Sequence, residues 1–316
     1  MTTFIFDFKS HEHFIPSFLE AASLAHGEPK KTKEWFNWKF KENPQGEAIL
    51  ACAHDGDTIT GCVAYGIQLF RNQEESYKGA LSFETFVHPE YQRQGIFTKL
   101  IEFAEIELYR QNVDVLLNFP NANSLKGFLN KNWNVYESIE YWLKVKSWIR
   151  VLAKIKHIRQ PFIPKASNLK DISLPDDYRN TAQTSFESEV SSEYLKWRFF
   201  SFPNAHYCIV YTQDYFSLGR LGHRGALREL QILVIQSKTK KDVILKNVIK
   251  HYGNSYNFDL ISIPLSSNHR LRGQLLKNIF MKVPNHTNSC YKILSDKLNH
   301  DQIESLELTA VNFHTY

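Results

Sequence analysis

The sequence has few cysteines, and their spacing argues against both a metal site and a disulfide scaffold. Only four of the 316 residues are Cys, and none belongs to a C-x-x-C pair. No cluster of His and Cys has the spacing of zinc ligands, so we predict no metal. We expect reduced thiols; a disulfide between Cys52 and Cys62, on neighbouring predicted strands, is the alternative.

Long apolar segments are also absent. Runs such as residues 113–119 fall well short of the roughly 18 residues that span a bilayer, so we expect no membrane span. The first residues, MTTFIFD, lack the basic start of a secretory signal peptide. Together with the reduced thiols, these features predict a cytoplasmic protein.

The excess of positive over negative charge is small. Lys and Arg number 38 against 33 Asp and Glu, which gives a formal net charge of +5. Nucleic-acid binding usually involves a concentrated basic face, so we expect no nucleic-acid partner, whereas an anionic small ligand suits this charge. The hydrophobic content of 43% and charged content of 22% are typical of globular proteins, and the length suits two domains.

Strand and helix periodicities alternate along the first half of the chain. Strands are predicted at residues 4–8, 47–53, 58–69, 77–87, 113–119 and 136–145. Helices are predicted at residues 13–24, 33–42, 96–109 and 123–132. This order predicts an α/β (α+β) fold, with a mixed, mostly antiparallel sheet flanked by helices.

One tryptophan-containing sequence, which we call the Trp motif, occurs twice. EWFNWKF at residues 34–40 matches EYLKWRF at residues 193–199, and a proline follows each copy at the same spacing. Strand, strand, helix and strand patterns then follow the second copy at residues 205–212, 227–236, 241–252 and 258–264. Such self-similarity indicates an internal repeat. We therefore predict two similar domains, residues 1–146 and 176–316, joined by a linker at residues 147–175.

The region around the predicted linker is basic. Its cationic residues are Lys144, Lys146, Arg150, Lys154, Lys156, His157, Arg159 and Lys165. We interpret this region as a solvated amphipathic helix; a membrane-surface or nucleic-acid patch is the alternative.

The first half contains a candidate phosphate-binding loop. QRQG at residues 92–95 follows a predicted strand and leads into a predicted helix. The free N–H groups and the positive dipole end of a helix N-terminus favour phosphate, and Arg93 adds a charged donor. The matching place in the second half, SKTKK at residues 237–241, has no glycine.

This context resembles the GNAT (GCN5-related N-acetyltransferase) superfamily. VHPEYQRQGIF at residues 87–97 is similar to that family's acyl-CoA signature, Q/R-x-x-G-x-G/A, although Phe97 stands where Gly or Ala is usual. The resemblance implies two tandem GNAT-like domains, the second without the signature, and acetyl-CoA as the cosubstrate. It implies that the cosubstrate is held by Phe86, Val87, Gln92, Arg93, Gln94, Gly95, Ile96, Phe97, Thr98, Asn123 and Ser124. For Asn123 and Ser124, capping of a helix is the alternative.

The implied reaction is direct attack of an amine on the thioester, which requires a proton acceptor. Glu84 lies where the family often has a base, and we expect its apolar neighbours to raise its pKa. Alternatively, Glu84 faces solvent or pairs with a lysine. His88 is a second candidate base. Phe128 occupies the position of the family's usual general-acid Tyr, so either Tyr91, Tyr136 or water takes that role, or the thiolate departs without an enzyme acid.

The Trp motif has two interpretations. Its aromatic residues line an acceptor cleft, or they anchor a helix to a sheet, and their presence in both halves favours the anchor. If buried, Glu34 and Glu193 would be better acceptor-binding candidates than the aromatic residues.

The predicted function is acyl-CoA-dependent N-acyl transfer, with acetyl-CoA as donor and an amine of a small molecule, such as an amino sugar, as acceptor. The alternatives are a non-catalytic CoA-binding or assembly module and a tRNA-dependent aminoacyl transferase; nothing in the sequence defines an oligomeric state.

Overall fold

The computed structural model describes residues 1–72, 75–136, 139–146, 148, 152, 186–201, 207–238, 244–285 and 287–312. The chain divides into two compact units. The first contains residues 1–136, 188–203 and 288–303, and the second contains residues 137–187, 204–287 and 304–316. The predicted linker lies outside the described residues, except for Trp148 and Leu152.

The first unit is built on a mixed sheet. Its strands are β1 (Thr2–Ile5), β2 (Ile49–Asp55), β3 (Thr58–Arg71), β4 (Ser76–Val87), β5 (Val115–Asn118), β6 (Asn134–Val135) and β14 (Cys290–Ile293). They lie in the order β1-β2-β3-β4-β5-β14-β6. The pair β4 and β5 is parallel, and the other neighbours are antiparallel.

Helices cover this sheet because each has an apolar face. They are α1 (Ile15–His26), α2 (Lys33–Phe36), α3 (Ile96–Arg110), α4 (Ala122–Leu129) and α5 (Ser192–Leu195). The buried face of α3, with Ile96, Leu100, Ile101, Ala104 and Leu108, packs in one hydrophobic cluster with residues of β2, β3, β4 and β5. The spacing of these residues is the helical period on which the sequence prediction of α3 rested.

The second unit has a similar sheet. Its strands are β7 (Ile139–Val145), β9 (Tyr207–Tyr211), β10 (Tyr215–Arg224), β11 (Leu227–Ser237), β12 (Leu260–Ser266) and β13 (Met281–Val283), in the order β13-β7-β12-β11-β10-β9. Its helices include α6 (Ile244–Ser255) and α7 (Arg272–Lys277). Here the pair β11 and β12 is parallel. Three further short elements are β8 (Phe186–Ser188), α8 (His300–Glu304) and β15 (Leu306–Glu307). The predicted fold class, mixed sheets flanked by helices, is confirmed.

Each sheet contains strand residues from the other half of the chain. β7, which the sequence analysis assigned to a domain ending at residue 146, pairs with β12 and β13 in the second unit. Conversely, β14 lies between β5 and β6 in the first unit. The packed units are therefore interleaved along the chain and differ from the predicted division into residues 1–146 and 176–316. The periodicity of a segment predicts a strand, but it does not determine which sheet that strand joins.

A shared hydrogen-bonding pattern shows that the two sheets are built alike. The Asp114 carboxylate accepts the backbone N–H of Lys78 at 2.9 Å, and the Asp259 carboxylate accepts that of Arg228 at 2.9 Å. The residue that follows each exchanged strand binds the same aspartate. Leu294, after β14, donates its N–H to the Asp114 carbonyl, and Lys146, after β7, donates its N–H to the Asp259 carbonyl, each at 2.9 Å. This equivalence supports the predicted repeat.

Both copies of the Trp motif lie in the first unit and bind each other. The Trp38 and Trp197 rings are stacked, with their centroids 5.8 Å apart. Each indole N–H donates to the backbone carbonyl of the other tryptophan at 2.7 Å. The aromatic residues Trp35, Trp38, Phe40, Tyr194, Trp197 and Phe199 are all buried. This supports the anchoring interpretation, whereas Glu34 and Glu193 are exposed.

The four cysteines are free and buried. Cys52 and Cys62 are cross-strand neighbours on β2 and β3, and they carry no disulfide. In the part of the chain that the structure describes, no helix is both long enough and apolar enough to cross a membrane.

The Trp38–Trp197 pair yields a prediction about stability. Trp38→Phe and Trp197→Phe each remove one indole donor and leave a buried carbonyl without it, so each variant is expected to lose about 1–3 kcal/mol of unfolding free energy. The two rings are in contact, so the losses in the double variant are expected to be non-additive. Urea denaturation measures both effects, and Trp148→Phe, at a site that is 59% exposed, is the control. Strictly additive losses would show that the two tryptophans act independently.

Candidate active site

A cavity opens where β4 and β5 part. Their parallel pairing runs from Gly79–Val115 to Ser82–Asn118, whereas β4 continues to Val87 along β3. The cavity has a volume of about 510 Å³. It is lined by Ala25, His26, Thr85, Phe86, Val87, Tyr91, Gln92, Arg93, Gly95, Ile96, Phe97 and Asn121.

The predicted phosphate loop forms one wall of this cavity. Gly95 is the N-cap of α3 and has a φ of 75°, in the left-handed region that favours glycine. A Cβ at this position would have no atom within 4 Å, so the backbone conformation, rather than crowding, calls for glycine. Arg93 also has a positive φ, of 63°. The first turn of α3 thus presents free N–H groups beside a cationic side chain, which suits a phosphate.

Most of the predicted cofactor-binding residues line the cavity. Those that do are Phe86, Val87, Gln92, Arg93, Gly95, Ile96 and Phe97. Gln94 and Thr98 are not among the described lining residues. The Asn123 side chain lies outside what the structure describes. Asn121 accepts the Ser124 backbone N–H at 2.9 Å and the Ser124 hydroxyl at 3.1 Å, so the cap at the start of α4 involves Ser124 and Asn121.

Phe97 is accommodated by a glycine on α4. A Cβ at Gly127 would lie 2.5 Å from the Phe97 ring, so no larger residue fits there without a shift of that ring. Phe97 also meets Phe128 edge to face, with centroids 5.5 Å apart. Phe128 is 1% exposed and packs on Trp133, so this position is part of the core and offers no hydroxyl to the cavity.

A β-bulge places Glu84 beside the cavity. On β3, Cys62 pairs with Phe86 and Ala64 pairs with Phe83, so two residues of β4 lie opposite one residue of β3. Glu84 has a φ of 45°, which is uncommon for a residue other than glycine. Bulges redirect side chains, and this one brings Glu84 to charged groups from the Trp motif and from α1.

Glu84 forms an ion pair with Lys39. Lys39 Nζ lies 2.5 Å from one carboxylate oxygen, and their side chains are only 10% and 20% exposed. Lys39 Nζ also lies 4.9 Å from the centre of the Trp35 ring and 5.1 Å from that of Phe83. The other carboxylate oxygen lies 3.8 Å from His26 Nε2.

The net effect of these contacts on Glu84 is opposite to the predicted one. Burial raises the pKa of the Glu84 carboxyl, but the Lys39 ammonium outweighs it, with help from His26 and Lys31, and holds the pKa below its ordinary value. The expectation that apolar neighbours raise this pKa is therefore wrong, because the sequence did not show that Lys39 is the partner. The alternative interpretation, a pairing with a lysine, describes the contact that is present.

The remaining candidates for proton transfer lie elsewhere. His88 Nδ1 accepts the Glu90 backbone N–H at 3.3 Å and caps a short helical turn, outside the described cavity lining. Tyr91 lines the cavity, and its hydroxyl donates to an Asp55 carboxylate oxygen at 3.4 Å. Burial and this carboxylate raise the pKa of Tyr91, which makes it a weaker acid. Tyr136 is buried.

Comparison with known proteins agrees with this geometry. Residues 9–135 match the acetyltransferase (GNAT) domain family. This stretch contains the loop, the bulge and the residues that line the cavity. Over residues 9–135 the chain is similar to GNAT domains. No curated protein matches the sequence.

Solved structures of the same fold extend the likeness beyond the GNAT domain. A probable N-acyltransferase from Enterococcus faecalis matches with a TM-score of 0.64 and 12% identity, over 93% of this chain and 73% of that one. A GCN5-related N-acetyltransferase from Anabaena variabilis gives 0.64 and 11%, over 93% and 73%. Eis1 from Mycobacterium abscessus gives 0.57 and 11%, over 93% and 74%. At these identities the likeness establishes the fold.

Two residues of this candidate site were not found from the sequence. Lys39 lies within the Trp motif but was not assigned a role, and His26 was not singled out at all. Both are far from Glu84 along the chain, and no local pattern connects them with it. Among the described residues, no group of three or more His, Cys, Asp or Glu side chains is arranged to hold a metal ion.

The Lys39–Glu84 pair predicts a pH-dependent stability. Because the folded-state pKa of Glu84 is depressed, its contribution is present above the unfolded pKa and is lost as the pH falls through the folded value. In Lys39→Met the Glu84 carboxylate stays largely buried without its cation, so at pH 7 the variant is expected to be less stable by about 3 kcal/mol, the lower end for a broken buried pair because both side chains are partly exposed. The difference should shrink toward about pH 3.5, where the carboxyl is largely protonated in the unfolded chain.

Urea denaturation at both pH values measures this difference. The double variant Lys39→Met, Glu84→Gln removes both charges and is the control; it should recover part of the loss at pH 7. A stability difference that is the same at the two pH values would contradict the assigned role of the pair.

Proposed function

We propose that this protein transfers an acetyl group from acetyl-CoA to the amine of a small molecule such as an amino sugar. The observation that carries this proposal is the cavity at the end of the β4–β5 pairing, closed on one side by the left-handed Gly95 and the N-terminus of α3. These groups suit the phosphates of an acyl-CoA, since free N–H groups and Arg93 converge there.

The open edge of β4 suits the rest of the cosubstrate. Phe86 pairs with Cys62 on β3, while its other edge extends past the last pair with β5. In this proposal the backbone of Phe86 and Val87 pairs with the pantetheine arm, which directs the thioester toward the bulge at Glu84. The proposed reaction is attack of the amine nitrogen on the thioester carbonyl, with the CoA thiolate as leaving group.

The charged cluster at the bulge supports transfer to an amine. Glu84 is the carboxylate beside the cavity, and we place it on the acceptor side. His88 is the weaker of the two sequence-predicted candidates, because its ring nitrogen serves as a cap. Phe128 favours the alternative of a CoA-binding module without turnover, because a buried phenyl ring donates no proton. The basic cluster behind the tRNA alternative lies mostly outside the described residues.

Binding of the cosubstrate is tested with two matched glycine variants. Gly95→Asp places a carboxylate at the proposed phosphate site, whereas Gly56→Asp places one in the β2–β3 turn. Both glycines have a positive φ, of 75° and 56°, and at both a Cβ meets no atom within 4 Å. Titration calorimetry with acetyl-CoA should show binding to the wild type and to Gly56→Asp, and at least a tenfold weaker affinity for Gly95→Asp. Equal affinities would remove the loop from the site.

Turnover separates an enzyme from a binding module. The protein is incubated with acetyl-CoA and glucosamine, and free CoA thiol is followed with a thiol reagent. The proposal expects faster thiol release with the amine than without it, together with N-acetylglucosamine detected by mass spectrometry. Binding of acetyl-CoA without turnover on glucosamine or any other small amine would instead favour the binding module.

A further inference from the structure

His26 is a titratable side chain of the cavity wall that the sequence analysis did not assign. It is the last residue of α1, where Gly27 ends the helix with a φ of 65°. Its ring lies with its centroid 6.1 Å from that of Phe86, and its side chain is 35% exposed. It lines the same cavity as Gly95 and Phe86 and also faces the Glu84 carboxylate. His26 therefore lies between the proposed acyl-CoA site and the charged cluster.

We propose that His26 is the proton acceptor for the incoming amine and that Glu84 positions its imidazole. This inference rests on the proposed acyl transfer and goes beyond it by assigning the proton transfer to a residue of α1.

The contacts of the two carboxylate oxygens of Glu84 support this division of roles. Oε1 is bound by Lys39 Nζ, and Oε2 faces His26 Nε2 at 3.8 Å. A carboxylate on this side favours the tautomer with the proton on Nε2, which leaves the lone pair of Nδ1 available to accept a proton. The distance is longer than a hydrogen bond, and catalytic hydrogen bonds often shorten only when substrate is bound.

Glu84 is less suited to accept the proton itself. Its pKa is held below the ordinary value chiefly by Lys39, against the effect of burial, and a weaker base takes a proton less readily. His88, the other sequence-predicted candidate, is outside the described cavity lining. Among these three groups, His26 is the imidazole that lines the cavity.

In the proposed reaction the acceptor arrives as an ammonium and leaves as an amide. An acceptor ammonium gives one proton to His26 Nδ1, and the neutral amine then attacks the thioester carbonyl carbon. A C–N bond forms and the C–S bond breaks. The second proton on that nitrogen passes to the departing thiolate, which leaves as the CoA thiol. The imidazolium, stabilised by the Glu84 carboxylate, then releases its proton to solvent.

Chemical rescue tests this assignment. His26→Ala and the wild type are assayed with acetyl-CoA and glucosamine. The slow hydrolysis of acetyl-CoA, in which water is the acceptor, is measured in parallel. We expect kcat to fall at least a hundredfold, the lower end of typical general-base effects, while the affinity for acetyl-CoA from calorimetry stays within about twofold of wild type. Added imidazole should restore part of kcat in this variant and leave the wild-type rate unchanged. Substituted imidazoles should rescue in the order of their basicity.

Two further variants complete the test. His13→Ala replaces an exposed histidine outside the cavity and should retain the wild-type rate. His88→Gln should not reproduce the loss seen for His26→Ala. A His26→Ala variant that binds acetyl-CoA and turns over at the wild-type rate would overturn the proposal, as would a hundredfold loss that imidazole does not rescue. Failure of the wild type to bind acetyl-CoA would instead overturn the proposed function.

Discussion

Parallel pairing between β4 and β5 stops at Ser82 and Asn118, and the candidate site exists because it stops there. Beyond that point β4 is held on one edge by β3 alone, which fixes the positions of Phe86 and Val87. Backbone groups on the open edge are then available to a ligand, since a strand edge without a neighbour presents free donors and acceptors. The bulge at Glu84 lies on this stretch of β4, and α3 begins after the loop that follows Val87, with Gly95 as its N-cap.

The Trp motif connects the stability of the first unit with the electrostatics of the site. Trp38 and Trp197 exchange indole hydrogen bonds, and Lys39 follows Trp38 directly in the chain. The stacked pair therefore holds the helical segment Asn37–Lys41, whose Lys39 binds Glu84. In the second copy, Arg198 occupies the matching place and is buried. Glu84 lies six residues after Lys78, whereas the residue six places after the equivalent Arg228 is Val234, so the second sheet has no carboxylate there.

Local features of the fold and the site were predictable, and long-range partnerships were not. The loop at residues 92–95, the helix α3 and the two copies of the Trp motif follow from neighbouring residues, because turn chemistry and periodicity act over a few positions. The exchange of β7 and β14 could not be predicted, since the pattern of residues 136–145 does not indicate which sheet they join, and no strand was predicted at Cys290–Ile293. The pairing of Glu84 with Lys39, and its approach to His26, arise from tertiary packing, which also reversed the expected direction of the pKa of Glu84.

Phe97 departs from the family pattern, and its ring is accommodated by Gly127. Taken alone, a phenylalanine where Gly or Ala is usual counts against a functional loop. In the structure its ring lies where a side chain at position 127 would be, and that position is glycine. The large residue and the small one are therefore complementary, and the loop retains its left-handed Gly95 and its free helix N-terminus. What the departure changes is the shape of the cavity wall, not the backbone groups that would bind phosphate. Phe97 therefore does not count against the acyl-CoA site proposed above.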